Sequence, residues 1–267
     1  PDFMGDSNER TLGGLGFGEI TTILAASGIG KSSVTNGIIK SFLDTTTYNT
    51  AVISLEADQT EFAVQLDSLY LGKRLIEEDP DNWEWDKIED IHKNLDGRLY
   101  IVEKLAGISN EKAFWDKINF LVKGLDCKKI VFDPATLGVR ACRMDDEEFL
   151  ADLVTYVKDN QLCWINVVHA RKSDNGGKAN SQGKELSEED AKGSGSWFQN
   201  SANFLILERN KLHENEEVKN TTRGKWSKIR RNGNGTGVFG YMYYNPLNGL
   251  LEVGRSPSDI MEVEVDD

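Results

Sequence analysis

Cysteine and histidine are scarce in this 267-residue chain, with three of each. Cys127, Cys142 and Cys163 are odd in number and widely spaced, so neither a disulfide framework nor a thiolate zinc site is encoded. They read as free thiols of a reducing compartment, with Cys127 and Cys163 in or beside strand-like text and so in or near the core. Only His92, His169 and His213 could add to them, and no protein-held zinc centre is expected. Long apolar runs are missing too. The longest, Ile20 to Ala26, holds two threonines and soon meets glycines, far short of the ~20 residues that span a bilayer. The opening text, PDFMGDSNER, has no basic stretch feeding an apolar one, so no signal peptide is expected. It also lacks an initiator Met, which fits processing or removal of an earlier region.

Positive charge is in deficit: 31 Lys plus Arg stand against 44 Asp plus Glu, a formal charge of -13. This argues against a generally basic protein that coats nucleic acid. It leaves room for a local basic channel inside an acidic assembly, because binding follows charge distribution. The remaining composition is that of a globular domain, too apolar for wholesale disorder and too varied for a coiled coil. No repeat period and no clear linker divide the chain.

Residues 20–24 read as a strand, residues 32–43 as a helix, and residues 50–55 and 60–71 as a second strand and helix. Residues 77–90 carry eight acids and one lysine around Trp83 and Trp85 and read as a solvated, partly helical flank. Strands are expected again at 99–102, 129–132, 162–168 and 203–207, with helices at 111–125 and 145–158. Residues 171–196, poor in large apolar groups, read as a long mobile loop with a functional reason to exist. Residues 238–244 and 250–253 flank NPLNG, a turn sequence for a β-hairpin. The last 14 residues hold five acids and one Arg and are expected to fray. The order predicts an α/β fold, mostly parallel sheet flanked by helices, with a C-terminal antiparallel hairpin.

The sharpest local signal is Ala25-Ala26-Ser27-Gly28-Ile29-Gly30-Lys31-Ser32, followed by Ser33. Ala25 stands where a standard phosphate loop has Gly, but a strand precedes the run and a helix follows. Gly28 and Gly30 let backbone N–H groups turn inward around phosphate oxygens, and the helix N-terminus adds aligned dipoles. Residues Ser27 to Ser33 would then line the phosphates, Lys31 neutralising their charge and Ser32 ligating Mg²⁺. Asp133, just past a strand, is either a turn former or a second Mg²⁺ carboxylate acting through water. Glu56 at another strand end could polarise the attacking water, with Asp58 as the alternative and a solvated helix entrance as the bland reading. His169 ends a strand beside the polar loop and could link hydrolysis to movement. In an open α/β sheet such strand ends converge on one crevice.

With these blocks in place, the chain resembles the RecA-type motor domain of ring-forming replicative helicases. It is nearer to bacteriophage primase-helicases and their mitochondrial relative than to bacterial replicative helicases. The matching text is GGLGFGEITTILAASGIGKSS, VISLE, KKIVFDP, VVHARK, AKGSGSWFQNSANFLILERNK and RRNGNGTGVFGYMYYNPLNGLLEV. It runs from about Leu12 to Gly254 and implies a RecA-like P-loop ATPase core over residues 1–254 with an acidic tail at 255–267.

The resemblance implies ATP- or dTTP-driven translocation on single-stranded DNA and strand separation at the replication fork, usually by a hexamer. By motif, Lys31 and Ser32 bind phosphate and Mg²⁺, Glu56 is the water-orienting base, Asp133 the Walker B acid, and His169 couples nucleotide state to DNA. Gln199 resembles a γ-phosphate sensor and Arg209 belongs to a further family block at the nucleotide. Arg231, or Arg230 in a register shifted by one, matches an arginine finger completing a neighbouring subunit's site. DNA-facing candidates are two loops, Leu137 to Arg143 and Arg171 to Lys192. The second holds Arg171, Lys172, Lys178, Lys184 and Lys192 against five acids, so a few placed phosphate contacts are expected, not a basic face.

Three positions depart from the family pattern: Ala25 for Gly, Pro134 where a histidine is frequent, and Ala202 where an acid is frequent. A primase region and a long N-terminal linker helix are not recognisable, which predicts a weak or concentration-dependent ring. Primase and polymerase partners, no membrane, and the cytoplasm of a phage-infected bacterium follow from the likeness, with the mitochondrial matrix as the alternative location. The competing readings are a RecA-like recombination or regulatory ATPase and a non-hydrolysing nucleotide-dependent clamp or scaffold.

Overall fold

A computed structural model describes residues 1–103, 110–171, 179–192 and 195–263. Its strands are β1 (Glu19–Ala25), β2 (Asn49–Ser54), β3 (Leu99–Glu103), β4 (Cys127–Asp133), β5 (Cys163–His169), β6 (Asn203–Arg209), β7 (Thr221–Ile229), β8 (Gly237–Tyr244) and β9 (Leu251–Gly254). They form one sheet in the order β3-β2-β4-β5-β1-β6-β7-β8-β9. The first six strands run parallel, and β7, β8 and β9 extend the sheet beyond β6, each antiparallel to the strand before it.

The helices are α1 (Ser7–Arg10), α2 (Lys31–Thr45), α3 (Gln59–Leu71), α4 (Trp85–Leu95), α5 (Glu111–Asn119), α6 (Ala135–Ala141), α7 (Asp146–Asp159), α8 (Ser196–Asn200), α9 (Glu216–Asn220) and α10 (Pro257–Val263). The central strands are buried on both faces, which is why they read as near-continuous apolar runs. Alternate residues supply the two cores. Ile130, Phe132 and Trp164 pack with Phe114, Phe149 and Leu153 on the side of α5 and α7. Val131, Ile165 and Val167 pack with Val34, Ile38 and Phe62 on the side of α2 and α3. All three cysteines are free and buried, and burial pushes the Cys127 and Cys163 thiols up to about 12.

Four expectations are corrected. The 137–143 loop is largely helix α6, which lies on β4 so closely that a Cβ on Gly138 would stand 2.1 Å from Phe132 Cζ. Within the 171–196 segment, residues 172–178 and 193–194 lie outside the described residues, and 179–192 is pinned. A Ser187–Asp190 capping box closes a 3₁₀ turn at Glu188–Asp190, Leu186 is buried, and Leu186 N donates to Glu208 Oε1 at 2.7 Å. Of the last 14 residues, Pro257–Val263 form α10, with Ile260 buried and Arg255 Nη2 bonded to Glu217 Oε2 at 2.7 Å, while residues 264–267 lie outside the described residues. The expected helix at 111–125 is α5 followed by a π turn at Phe120–Gly124. Strand β7 was hidden in polar text, since TTRGKWSKI buries Thr222, Gly224 and Trp226 in alternation with exposed or half-exposed Arg223 and Lys225.

Candidate functional site

The carboxyl ends of β2, β4, β5, β1 and β6 stand side by side in the sheet. At the ~4.8 Å spacing of neighbouring strands they form a line of about 20 Å. Each end carries one expected site residue: Glu56 after β2, Asp133 closing β4, His169 closing β5, the glycine loop after β1, and Arg209 closing β6.

The loop after β1 takes its shape from two glycines, Gly28 at φ 73° and Gly30 at φ 93°, backbone positions that disfavour any side chain. Ala25, the fully buried last residue of β1, lies between His169 and Leu207, and its carbonyl accepts from Ala170 N at 2.9 Å. Ile29 fills the core beneath the loop, and its carbonyl accepts from Thr222 Oγ1 at 3.2 Å, tying the loop to β7. Ser27 and Gly28 are exposed, and α2 begins at Lys31 with Ser32 exposed and Ser33 half-buried in its first turn. The loop and the 15-residue helix therefore present free N–H groups at the strand ends.

Lys31 is only 6% exposed. Its Nζ lies 2.6 Å from Asp133 Oδ1 and 3.5 Å from Glu56 Oε2, and Glu56 Oε1 lies 3.4 Å from His169 Nε2. Four residues from four parts of the chain thus stand in one polar line. Burial is the largest influence on His169 and holds its imidazole below the usual range near 6.5, against the raising effect of Glu56. Asp58 is used otherwise: its Oδ1 accepts from Glu61 N at 2.8 Å as the N-cap of α3. Ser32, Glu56 and Asp133 line a cavity of about 190 Å³ between α2 and α3.

Arg209 reaches the loop from β6. Its Nε donates to Lys219 O and its Nη2 to Asn220 Oδ1 at 2.8 Å, while Nη1 lies 3.7 Å from where a Cβ on Gly30 would be. Desolvation pulls its guanidinium down from the usual range.

Other expected residues lie apart from this line. Gln199 is exposed on α8, and its carbonyl accepts from Lys228 Nζ at 3.0 Å. Arg231 Nε donates to Glu19 Oε1 at 2.7 Å, and Glu19 opens β1. Six residues of strand, about 20 Å, separate that end from the phosphate loop. Arg230 is exposed, with its backbone N–H on Ala202 O at 2.9 Å.

Among the cations of the 171–192 segment, Lys184 is bound to Asp190 at 2.8 Å and Arg171 Nε donates to Ala191 O at 2.9 Å. Lys192 is exposed, and its backbone N–H donates to His169 O at 2.8 Å. Lys172 and Lys178 lie outside the described residues. Sequence reasoning missed Thr222 and Lys211. Both come from the β6–β7 region, and only the fold brings that region to the loop.

Among the described residues, no group of three His, Cys, Asp or Glu could hold a metal ion, and no helix is long and apolar enough to cross a membrane. No protein-family model matches the chain. The chain is 28% identical, over 263 aligned residues, to a DNA helicase/primase of Enterobacteria phage T3, covering 92% of this chain and 44% of that protein. It therefore spans less than half the length of that relative. Across most of its sequence, this chain is a distant homologue of a phage DNA helicase/primase.

Proposed function

We propose that the chain is a RecA-like motor that couples nucleoside triphosphate hydrolysis to movement along single-stranded DNA and duplex unwinding during replication. The observation that carries this reading is the convergence of Lys31, Glu56, Asp133 and His169 at four strand ends beside a two-glycine loop. That constellation suits phosphoryl transfer to water, and the distant likeness to a phage helicase/primase supplies the DNA context.

In this reading ATP or dTTP binds along residues 27–33, and Lys31 exchanges its carboxylate partners for phosphate oxygens. Released Glu56 orients a water and accepts its proton as the water attacks the terminal phosphorus, whose bond to the β–γ bridging oxygen breaks so that the nucleoside diphosphate leaves. His169, 3.4 Å from Glu56 and continuous with the 171–192 segment, reports the state of the phosphate to that segment. Ser32 and Asp133 offer two oxygens on one cavity wall. This suits Mg²⁺, which takes few protein ligands and fills the rest with phosphate and water, and which would neutralise charge on the phosphates. Arg209 borders the nucleotide.

Arg231 is too far from its own loop to assist there, which supports its service as a finger in a neighbour's site and hence a ring, a hexamer in the full protein. Gln199 would sense the neighbour or the nucleotide from the same subunit face. DNA contacts fall to Arg171, Lys192 and the exposed side of α6, where Leu137 and Arg140 lie one turn apart. Primase and polymerase partners belong to the same proposal.

Forked-duplex unwinding, measured separately from hydrolysis, tests the reading. Wild type should do both. Glu56→Gln should bind nucleotide and do neither, and Arg231→Ala should bind nucleotide but fail in the assembled ring. Hydrolysis without unwinding by an intact oligomer would point to a recombination-type or regulatory ATPase. Nucleotide binding without turnover would point to a clamp.

A further inference from the structure

The turn after β6 delivers a lysine to the outer side of the phosphate loop. Lys211 follows Arg209 by two residues, and its Nζ lies 2.9 Å from the position a Cβ on Gly28 would occupy. The ammonium therefore rests against the bare Cα of Gly28, and any larger residue at 28 would meet it. The turn is fixed by Leu212 N on Asn210 Oδ1 at 3.3 Å and by Asn210 packed against Gly183.

The charges around the loop are unevenly matched. Lys31 has two carboxylate neighbours, whereas among the described residues Arg209 bonds only to neutral oxygens, Lys219 O and Asn220 Oδ1. Lys211 is half-buried and makes no hydrogen bond or ion pair with a described residue. In a chain with 44 acids against 31 bases, two unneutralised cations side by side at a glycine loop mark a place prepared for negative charge.

We infer that Lys211 is a phosphate-binding residue of the nucleotide site, gripping a non-bridging oxygen from the side of the loop opposite Lys31. This rests on the nucleotide reading above and adds a residue to it. A point-charge ammonium contributes more as phosphates are added, so Lys211 favours triphosphate over diphosphate and monophosphate.

Isothermal titration of the whole chain with Mg²⁺ and ATP, ADP or AMP, repeated with the thymidine series, tests this. Lys211→Met should weaken triphosphate binding about tenfold and diphosphate binding less. Monophosphate binding should not change. Lys211→Arg should restore most of the loss, and the salt dependence of triphosphate binding should be shallower in Lys211→Met. Equal affinities of Lys211→Met and wild type for every nucleotide, with Lys31→Ala abolishing binding, would refute the role of Lys211 and leave the nucleotide site standing. Failure of wild type to bind any of these nucleotides would overturn both.

Discussion

Lys31 Nζ lies 2.6 Å from Asp133 Oδ1, joining the first residue of α2 to the last residue of β4. The pair connects two residues 102 positions apart and is shielded on the lysine side. A buried ion pair is costly to desolvate, and removing one partner strands the other. Lys31→Met is therefore expected to lose nucleotide binding and about 2 kcal/mol of stability, the latter from an unpaired Asp133. The double variant Lys31→Met/Asp133→Asn should recover much of that stability without recovering binding. Urea unfolding of the three proteins checks the first statement and nucleotide titration the second.

Arg231 and Glu19 form an ion pair on the subunit's far side from its phosphate loop. If Arg231 serves a neighbour, two defects in different subunits can complement. An equimolar mixture of Lys31→Ala and Arg231→Ala proteins should hydrolyse nucleotide faster than either alone, because some sites then combine an intact loop with an intact finger. No gain on mixing would mean that the arginine does not act between subunits. Activity surviving in Arg231→Ala but not in Arg230→Ala would shift the finger by one residue.

His169 gives a pH signature. Its imidazole is held below its usual range by burial, with Glu56, Lys31, Asp133 and Lys192 as the charged groups facing it. The unfolded chain therefore takes up this proton first as pH falls. The stability associated with neutral His169 is present above about pH 6.5 and is lost as pH drops toward the folded value. Between about pH 7.5 and 5.5 the urea midpoint of wild type should fall more than that of His169→Gln. Equal slopes would remove His169 from the titrating groups.

The parallel strands were legible in the sequence because burial on both faces leaves near-continuous apolar runs, such as Ile130 to Phe132 and, broken only by Asn166, Trp164 to Val168. The phosphate loop was legible because its glycines and lysine are contiguous. Lys31, Asp133 and His169 could be expected at strand ends from local pattern alone. Their mutual distances depend on strand order, which no local pattern encodes. Lys211 and Thr222 stayed hidden for that reason, and β7 because its inward side uses Thr and Gly beside a single Trp. Helix α6 stands where the family resemblance implies a DNA-facing loop, and the missing side chain of Gly138 is what lets this helix lie on Phe132.

Gly138→Ala places a Cβ 2.1 Å from Phe132 Cζ in a filled core, so it should destabilise the chain by about 1–3 kcal/mol despite the better helix propensity of Ala. Pairing it with Phe132→Leu should recover part of the loss. A stabilising Gly138→Ala, read by urea unfolding, would mean that α6 stands off β4.

The most direct measurement of the account is nucleotide turnover by the wild-type chain and Glu56→Gln, with and without single-stranded DNA, at concentrations high enough to assemble it. Turnover should rise on adding DNA and nearly vanish in Glu56→Gln, while both proteins bind nucleotide alike. Absence of turnover in the assembled wild type, or undiminished turnover in Glu56→Gln, would contradict it.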